Sequence, residues 1–219
     1  MSQIHNHWLV HEQPEDAPIS LRAVKPKGSP LALIPRNVTF HPLNFASINE
    51  LRTAFESEAL ALNEAGYNVY VVMNRIRASF DSHEAVKDVD IIQRTTLLID
   101  IDRIGDTSRP ATDLEVDAAF HLADQIEGYL HSEGFPTPWR VHSGNGCHLY
   151  YRMSAVPNSL EVRDDVERFL KGLAIRFNNG FVGVDTSVFN ASRITKVIGT
   201  VARRGAESAD RPYRMARLA

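Results

Sequence analysis

Residues 97–102 read Leu-Leu-Ile-Asp-Ile-Asp, and no other stretch limits the fold as strongly. Three large apolar residues ahead of an Asp-Ile-Asp triplet describe a buried strand whose end carries acid, because strand side chains alternate between faces. Asp100 and Asp102 therefore share a face. Two carboxylates side by side at the end of an apolar strand repel each other and lose hydration, and a divalent cation between them relieves both costs. Taken alone, the triplet fits equally well a strand running out into a solvated acidic turn.

The rest of the chain has the composition of a globular α/β unit: 219 residues, 43% hydrophobic and 23% charged. No apolar run reaches the roughly 18 residues that span a bilayer, and the N-terminus lacks the regions of a signal peptide. The expectation is a cytoplasmic protein with no membrane partner. Cys147 is the only cysteine, which excludes an intrachain disulfide and a zinc site built on several thiolates. The net charge of -3 hides an asymmetry: from Arg193 onward there are seven Lys/Arg and two Asp/Glu. An acidic body with a basic end suits metal chemistry in one place and phosphate contacts in another.

Residues 1–46 are rich in proline and show no sustained periodicity, so they are expected to form an irregular arm or short strands around Ser29 to Phe40. His5-Asn6-His7 lies in what reads as a disordered terminus. Residues 47–219 form the main domain. Ser47 to Glu50 and Thr112 to Glu115 have the capping-box form, and each precedes an apolar helical stripe that ends at Gly66 or Gly134. A third helix is expected to open at an Asn158 cap and to close at Asn178-Asn179-Gly180. Strands are expected at Asn68 to Asn74, Trp139 to Ser143, Cys147 to Met153 and Val182 to Asp185. Asn145-Gly146 reads as a type I′ hairpin turn, which would set Ser143 opposite His148. No Gly-Lys-Ser/Thr follows, so the glycines are not a Walker loop.

Two acids on a strand, a Gly-rich hairpin carrying a histidine, and a third acid before an Arg/Lys segment follow in that order. This arrangement resembles the catalytic core of the archaeo-eukaryotic primase superfamily, particularly the primase-polymerases of plasmids, phages and other mobile elements, from about Asn68 to Arg214. The resemblance implies an α+β fold: a mixed, largely antiparallel, RRM-like sheet of the Asn68, Leu97, Trp139 and Cys147 strands, flanked by amphipathic helices. It implies Mg²⁺ or Mn²⁺ at Asp100, Asp102 and Asp185, and contacts to an incoming nucleotide from His148, assisted by Ser143 or the backbone N–H groups of the turn. Arg193 and Lys196 would be further phosphate contacts, with Asn74 and Arg75 as weaker candidates. The implied partners are NTPs or dNTPs, a single-stranded DNA template, and a helicase or helical accessory domain, with the chain a possible fragment of a longer protein. Two departures stand out. Gly146 occupies a position where many members carry Ser, and a thiolate-rich zinc insertion cannot be built here. Arg203 to Arg217 is the expected template track, since a single-strand groove needs positive charge along its length.

The expected activity is template-dependent primer synthesis or extension by nucleotidyl transfer. A catalytically silent single-strand-binding module of a replication or defence protein is the alternative. A nicking endonuclease fits less well, because His142 is out of phase with His148 and cannot pair with it on a metal.

Overall fold

A computed structural model of the chain describes residues 3–11 and 15–219. A 3-10 turn over Gln3–Asn6 leads into α1 (His7–Val10), β1 (Ile19–Val24), β2 (Arg36–Phe40), α2 (Ile48–Glu64), β3 (Asn68–Val72), β4 (Arg75–Ile76) and β5 (Ile91–Arg103). There follow α3 (Asp113–Ser132), β6 (Trp139–His142), β7 (Cys147–Pro157), α4 (Leu160–Phe177), β8 (Val182–Val184), β9 (Ile194–Lys196), β10 (Val201–Ala202), β11 (Arg214–Met215) and β12 (Arg217–Leu218). One sheet runs β2-β1-β3-β9, a second β12-β6-β7-β5-β4 with β8 joined to β5, and β10 and β11 form a small third. The expected largely antiparallel α+β architecture is present, and each of these pairings is antiparallel. Among the described residues no helix is long and apolar enough to cross a membrane.

The long β5 is the axis of the second sheet, and its alternation divides apolar from polar work. Ile99 and Ile101, with Leu149 and Cys147 opposite them on β7, are fully buried in the core with Ala119, Ala123 and Ile126 of α3 and Leu170 of α4. Leu98, Asp100 and Asp102 project to the other face, toward the first sheet. The first sheet has its own core, in which Leu51, Phe55, Ala59 and Leu62 of α2 pack on Leu21, Val69 and Val71.

Both caps form, but only the second as a full box, because the Glu50 carboxylate accepts from Ala46 N–H rather than from Ser47 N–H. Ser47 Oγ accepts from Glu50 N–H (3.2 Å), and Thr112 and Glu115 bond reciprocally, Glu115 N–H to Thr112 Oγ1 (3.2 Å) and Thr112 N–H to Glu115 Oε2 (2.7 Å). The cap of α4 is Ser159 rather than Asn158, whose amide instead donates to Asp88 and Ile91 carbonyls.

Three further expectations are corrected. The Asn68 strand does not lie beside the Leu97 strand: β3 pairs with β1 and β9, and only after the chain bends at Asn74 does β4 join β5. The His5-Asn6-His7 segment is not a disordered terminus, because Ile4, His7, Trp8 and Val10 are buried. Four helical residues are too few to display a period, which is why the sequence hid them. Residues 1–46 also supply β1 and β2, and β1 lies ahead of the stretch where strands were expected.

Candidate functional site

Between the first two sheets lies a cavity of about 440 Å³, within the range of small-molecule sites. Asp100, Asp102 and His148 come from the second sheet, and Asn68, Tyr70, Thr195 and Lys196 from the first. The Ser143 turn, Arg193 and the loops carrying Lys25, Lys27, Arg203 and Arg204 complete the wall.

Cross-strand register sets His148 directly opposite Asp100, and its Nε2 lies 3.3 Å from Asp100 Oδ1. Burial pushes the Asp100 carboxyl upward, but the combined pull of His148, Arg193 and Arg204 outweighs it and holds the group below the usual range. Asp102 goes the other way. Burial, reinforced by the charge of Asp100, pushes it up to about 6, although Arg204 Nη1 stands 3.6 Å from its Oδ2 and Arg103 N–H donates to its Oδ1 at 2.9 Å.

Asp185 arrives beside the pair through its backbone, whose N–H donates to Asp100 O at 2.8 Å. Its Oδ1 accepts from Ser187 N–H at 2.8 Å, and Asp185 is not among the residues lining the cavity. Asp100 and Asp102 are hard oxygen donors on one face, and burial first, then the charge of Asp100, disfavours the ionised form of Asp102. Among the described residues no group of three or more His, Cys, Asp or Glu gathers closely enough to hold a metal. The third carboxylate, that of Asp185, is held aside from the pair by Ser187.

The turn between β6 and β7 differs from the expected type I′ hairpin. It spans Ser143 to Gly146, closed by Ser143 N–H to Gly146 O at 3.0 Å, and only Gly144 has a positive φ (101°). His148 consequently faces Val141, and Cys147 faces His142. Gly146 is required for a different reason: a Cβ there would lie 2.2 Å from Ile101 O. Ser143 lines the cavity, but its Oγ accepts from Gly146 N–H at 3.0 Å, and Gly144 N–H donates to His142 Nδ1 at 2.9 Å. These turn amides are engaged within the turn and do not point at a ligand as expected.

Arg193 and Lys196 both reach the cavity. Arg193 donates to Ser187 O, while Lys196 Nζ donates to Asn68 Oδ1 and Val201 O, each at 3.1 Å. Lys196 is buried, and desolvation, aided by the Arg203 charge, pulls its pKa well below the ordinary lysine value. Asn74 and Arg75 lie elsewhere. Asn74 secures the bend between β3 and β4 by bonding Ala191 O and Thr95 N–H, and Arg75 pairs with Asp16.

Lys25, Lys27, Asn68, Tyr70 and Thr195 carried no signal in the sequence. A tertiary crossing delivers the lysines: Gly205 N–H donates to Lys27 O at 2.6 Å, and a Cβ on Gly28 (φ 77°) would stand 2.9 Å from Gly205 Cα. That contact sets the Lys25–Lys27 turn beside Arg203 and Arg204. Two arginines of the expected template track are paired elsewhere, and a third lies exposed on the edge strand. Arg211 Nη1 is 2.9 Å from Glu115 Oε2, Arg214 Nη2 is 2.6 Å from Asp113 Oδ1, and Arg217 sits on β12 opposite His142.

No protein-family model matches the chain, and no curated protein matches it. Solved structures do. The chain is similar to the primase-polymerase AEP domain of cyanophage S-2L, with 16% identity and a TM-score of 0.54 over 99% of this chain and 88% of that one. It is similar to the primase RepB′ (10%, TM-score 0.53, 99% of this chain and 55% of that one). It is also similar to the polymerase domain of Mycobacterium tuberculosis ligase D, solved in complex with DNA (20%, TM-score 0.52, 97% and 77%). The chain shares the fold of these three structures. At such identities it is the fold that is shared, and the chemistry must come from this chain's own side chains.

Proposed function

We propose that this chain is a template-directed nucleotidyltransferase, a DNA primase or polymerase that joins nucleoside triphosphates to a 3′-hydroxyl. One observation carries the reading: Asp100 and Asp102 stand side by side in a cavity that also draws Lys25, Lys27, Arg193, Lys196, Arg203 and Arg204. Such a site suits a polyanion placed next to a metal pair. Asp100 and Asp102 are the residues that would hold Mg²⁺ or Mn²⁺, and Asp185, whose carboxylate accepts from Ser187 N–H, would join them only by turning its side chain toward the pair. A bound divalent ion would lower the pKa of the attacking hydroxyl and neutralise charge on the triphosphate. His148, beside Asp100, would meet a phosphate oxygen, and Lys25, Lys27, Arg193, Arg203 and Arg204 would attract the triphosphate and oppose the negative charge gathering in the transition state. A single-stranded DNA template, NTPs or dNTPs, a cytoplasmic setting, a mobile-element replicon and a helicase or helical accessory partner belong to the same proposal.

An extension assay on single-stranded templates, with and without primer, with each nucleotide set and with Mg²⁺ or Mn²⁺, tests it. Wild-type protein should incorporate nucleotide, and Asp100→Ala should lose about 10³-fold or more while keeping its melting curve. Near-normal incorporation by that variant overturns the proposal. The ion pair between Arg204 and Asp102 favours a second reading, a single-strand-binding module in which an arginine has taken a cation's place. Tight binding of single-stranded DNA without metal-dependent incorporation would select it.

A further inference from the structure

A line of buried polar side chains runs from the acidic pair across to the N-terminal segment. Strand alternation puts His148 and Tyr150 on one face of β7, where His148 Nδ1 lies 2.9 Å from the Tyr150 hydroxyl. The same hydroxyl bonds the Thr195 side chain on β9, and Thr195 Oγ1 lies 3.5 Å from His11 Nε2. His148, Tyr150, Thr195 and His11 are all buried. The His11 ring lies tilted 4.5 Å from that of His7 and meets the Tyr150 ring edge-on at 5.1 Å.

Donor and acceptor accounting gives this line a direction. Nε2 of His148 faces a carboxylate oxygen of Asp100, an acceptor, so Nε2 carries a proton. In the neutral ring Nδ1 is then an acceptor, and the Tyr150 hydroxyl is its donor. Burial keeps that phenol protonated. Having donated its only proton, Tyr150 accepts from Thr195, and Thr195 in turn accepts from His11. Each link fixes the next, and the ring nitrogen not facing the cavity decides what the other one presents.

We propose that Tyr150 is a positioning residue for the nucleotide site: anchored by Thr195 and His11, its hydroxyl holds His148 with Nε2–H directed at Asp100 and the cavity. The docked N-terminal segment thereby sets how well the site engages a triphosphate. The nucleotide part of this inference rests on the function proposed above, whereas the tautomer part does not.

The test is the ¹⁵N spectrum of the His148 ring in the full-length chain, read beside the KM for nucleoside triphosphate. In wild-type protein Nε2 should be protonated and Nδ1 bare. Tyr150→Phe, which keeps the ring and its packing, should give a mixture of tautomers and raise KM about tenfold with kcat changed less than about threefold. Thr195→Val should move both readouts in the same direction by a smaller amount, and serves if Tyr150→Phe fails to fold. An Nδ1–H tautomer in wild-type protein, or unchanged resonances and KM in both variants, overturns the proposal. If wild-type protein incorporates no nucleotide, the functional reading fails while the ring spectrum still decides the tautomer. If incorporation is normal and the spectra do not move, the functional reading stands and the positioning role falls.

Discussion

The cavity has an acidic wall and a basic wall, and they are built by opposite means. Asp100 and Asp102 lie two residues apart on one strand, placed together by the pleat alone, and Ile99 and Ile101 lock that strand against α3. Lys25, Lys27, Arg193, Lys196, Arg203 and Arg204 come from separate parts of the chain and meet only because β1, β3 and β9 share a sheet and because two glycines cross. The acidic wall is local and rigid. The basic wall is a tertiary product, so a substitution far from any charge can dismantle it.

The largest effect should come from the acidic wall. Asp102→Asn keeps the shape, removes the repulsion with Asp100 and takes away one hard oxygen charge. Incorporation should fall about 10³-fold while the melting temperature holds or rises, a split that single-turnover kinetics and calorimetry read directly. If Asp102→Asn lost activity only through unfolding, the claim that the acids repel in the free protein would be broken.

The basic wall should respond to a residue that bears no charge. Gly205 has φ 56°, and a Cβ there would stand 2.4 Å from Ser108 O. Gly205→Ala should cost about 2 to 3 kcal/mol in stability and raise the nucleotide KM more than it lowers kcat, because the Lys25–Lys27 turn and Arg203–Arg204 lose their shared anchor. A KM that stays put would show that the cations reach a triphosphate without the crossing.

This contrast also explains how far the sequence could be read. The acid pair, the two capping boxes and the apolar stripes of α2 and α3 are local patterns, and the residues themselves carry them. His148 was legible as a site residue, but its register was not. Asn-Gly signals a turn through φ, whereas Gly146 is a glycine because Ile101 O leaves no room for a side chain. The lysines of the basic wall sit in an aperiodic Pro/Gly segment and could not be assigned before the fold brought Gly205 against it. Arg211 and Arg214 show the converse: they read as part of a run of cations near the chain end, and only the fold reveals that acids in the first turn of α3 pair with them. Asn74 likewise offered a polar strand end, and its amide turned out to hold a chain bend.

A smaller effect follows from pH and involves the segment behind the acidic wall. His7 and His11 are buried, and among the described residues no carboxylate stands against either ring. Burial, followed by His148 when it is protonated and by the charge of Arg152, lowers His11 to about 3. Burial and His11 lower His7 well below the ordinary value. Both rings are neutral when folded and take up protons when unfolded, so the unfolded state binds more protons as pH falls below about 6.5. Stability is therefore full above that pH and declines from there toward the folded pKa, by about 2 kcal/mol for the two rings together at pH 6. Denaturant titrations at pH 7.5 and 6 measure it, and His7→Phe should remove part of the slope by filling the same stacked position against Phe55. A pH-independent midpoint would mean that the rings are already paired or exposed.

The smallest effect marks the outer limit of the site. Arg75 was a candidate phosphate contact by its place at a strand end, but it pairs with Asp16, whose side chain is largely exposed, and it is absent from the cavity wall. An exposed ion pair contributes little, because water already solvates both partners and the long side chain loses freedom when it is held. Arg75→Ala should shift stability by less than about 0.5 kcal/mol and the nucleotide KM by less than about twofold. Arg204→Ala at the cavity should instead change KM and its salt dependence together, since only the cations facing the polyanion release counterions when it binds. If the two variants behaved alike, the basic wall would extend beyond the cavity to the β4 edge, and the difference between the two walls would be one of position rather than of construction.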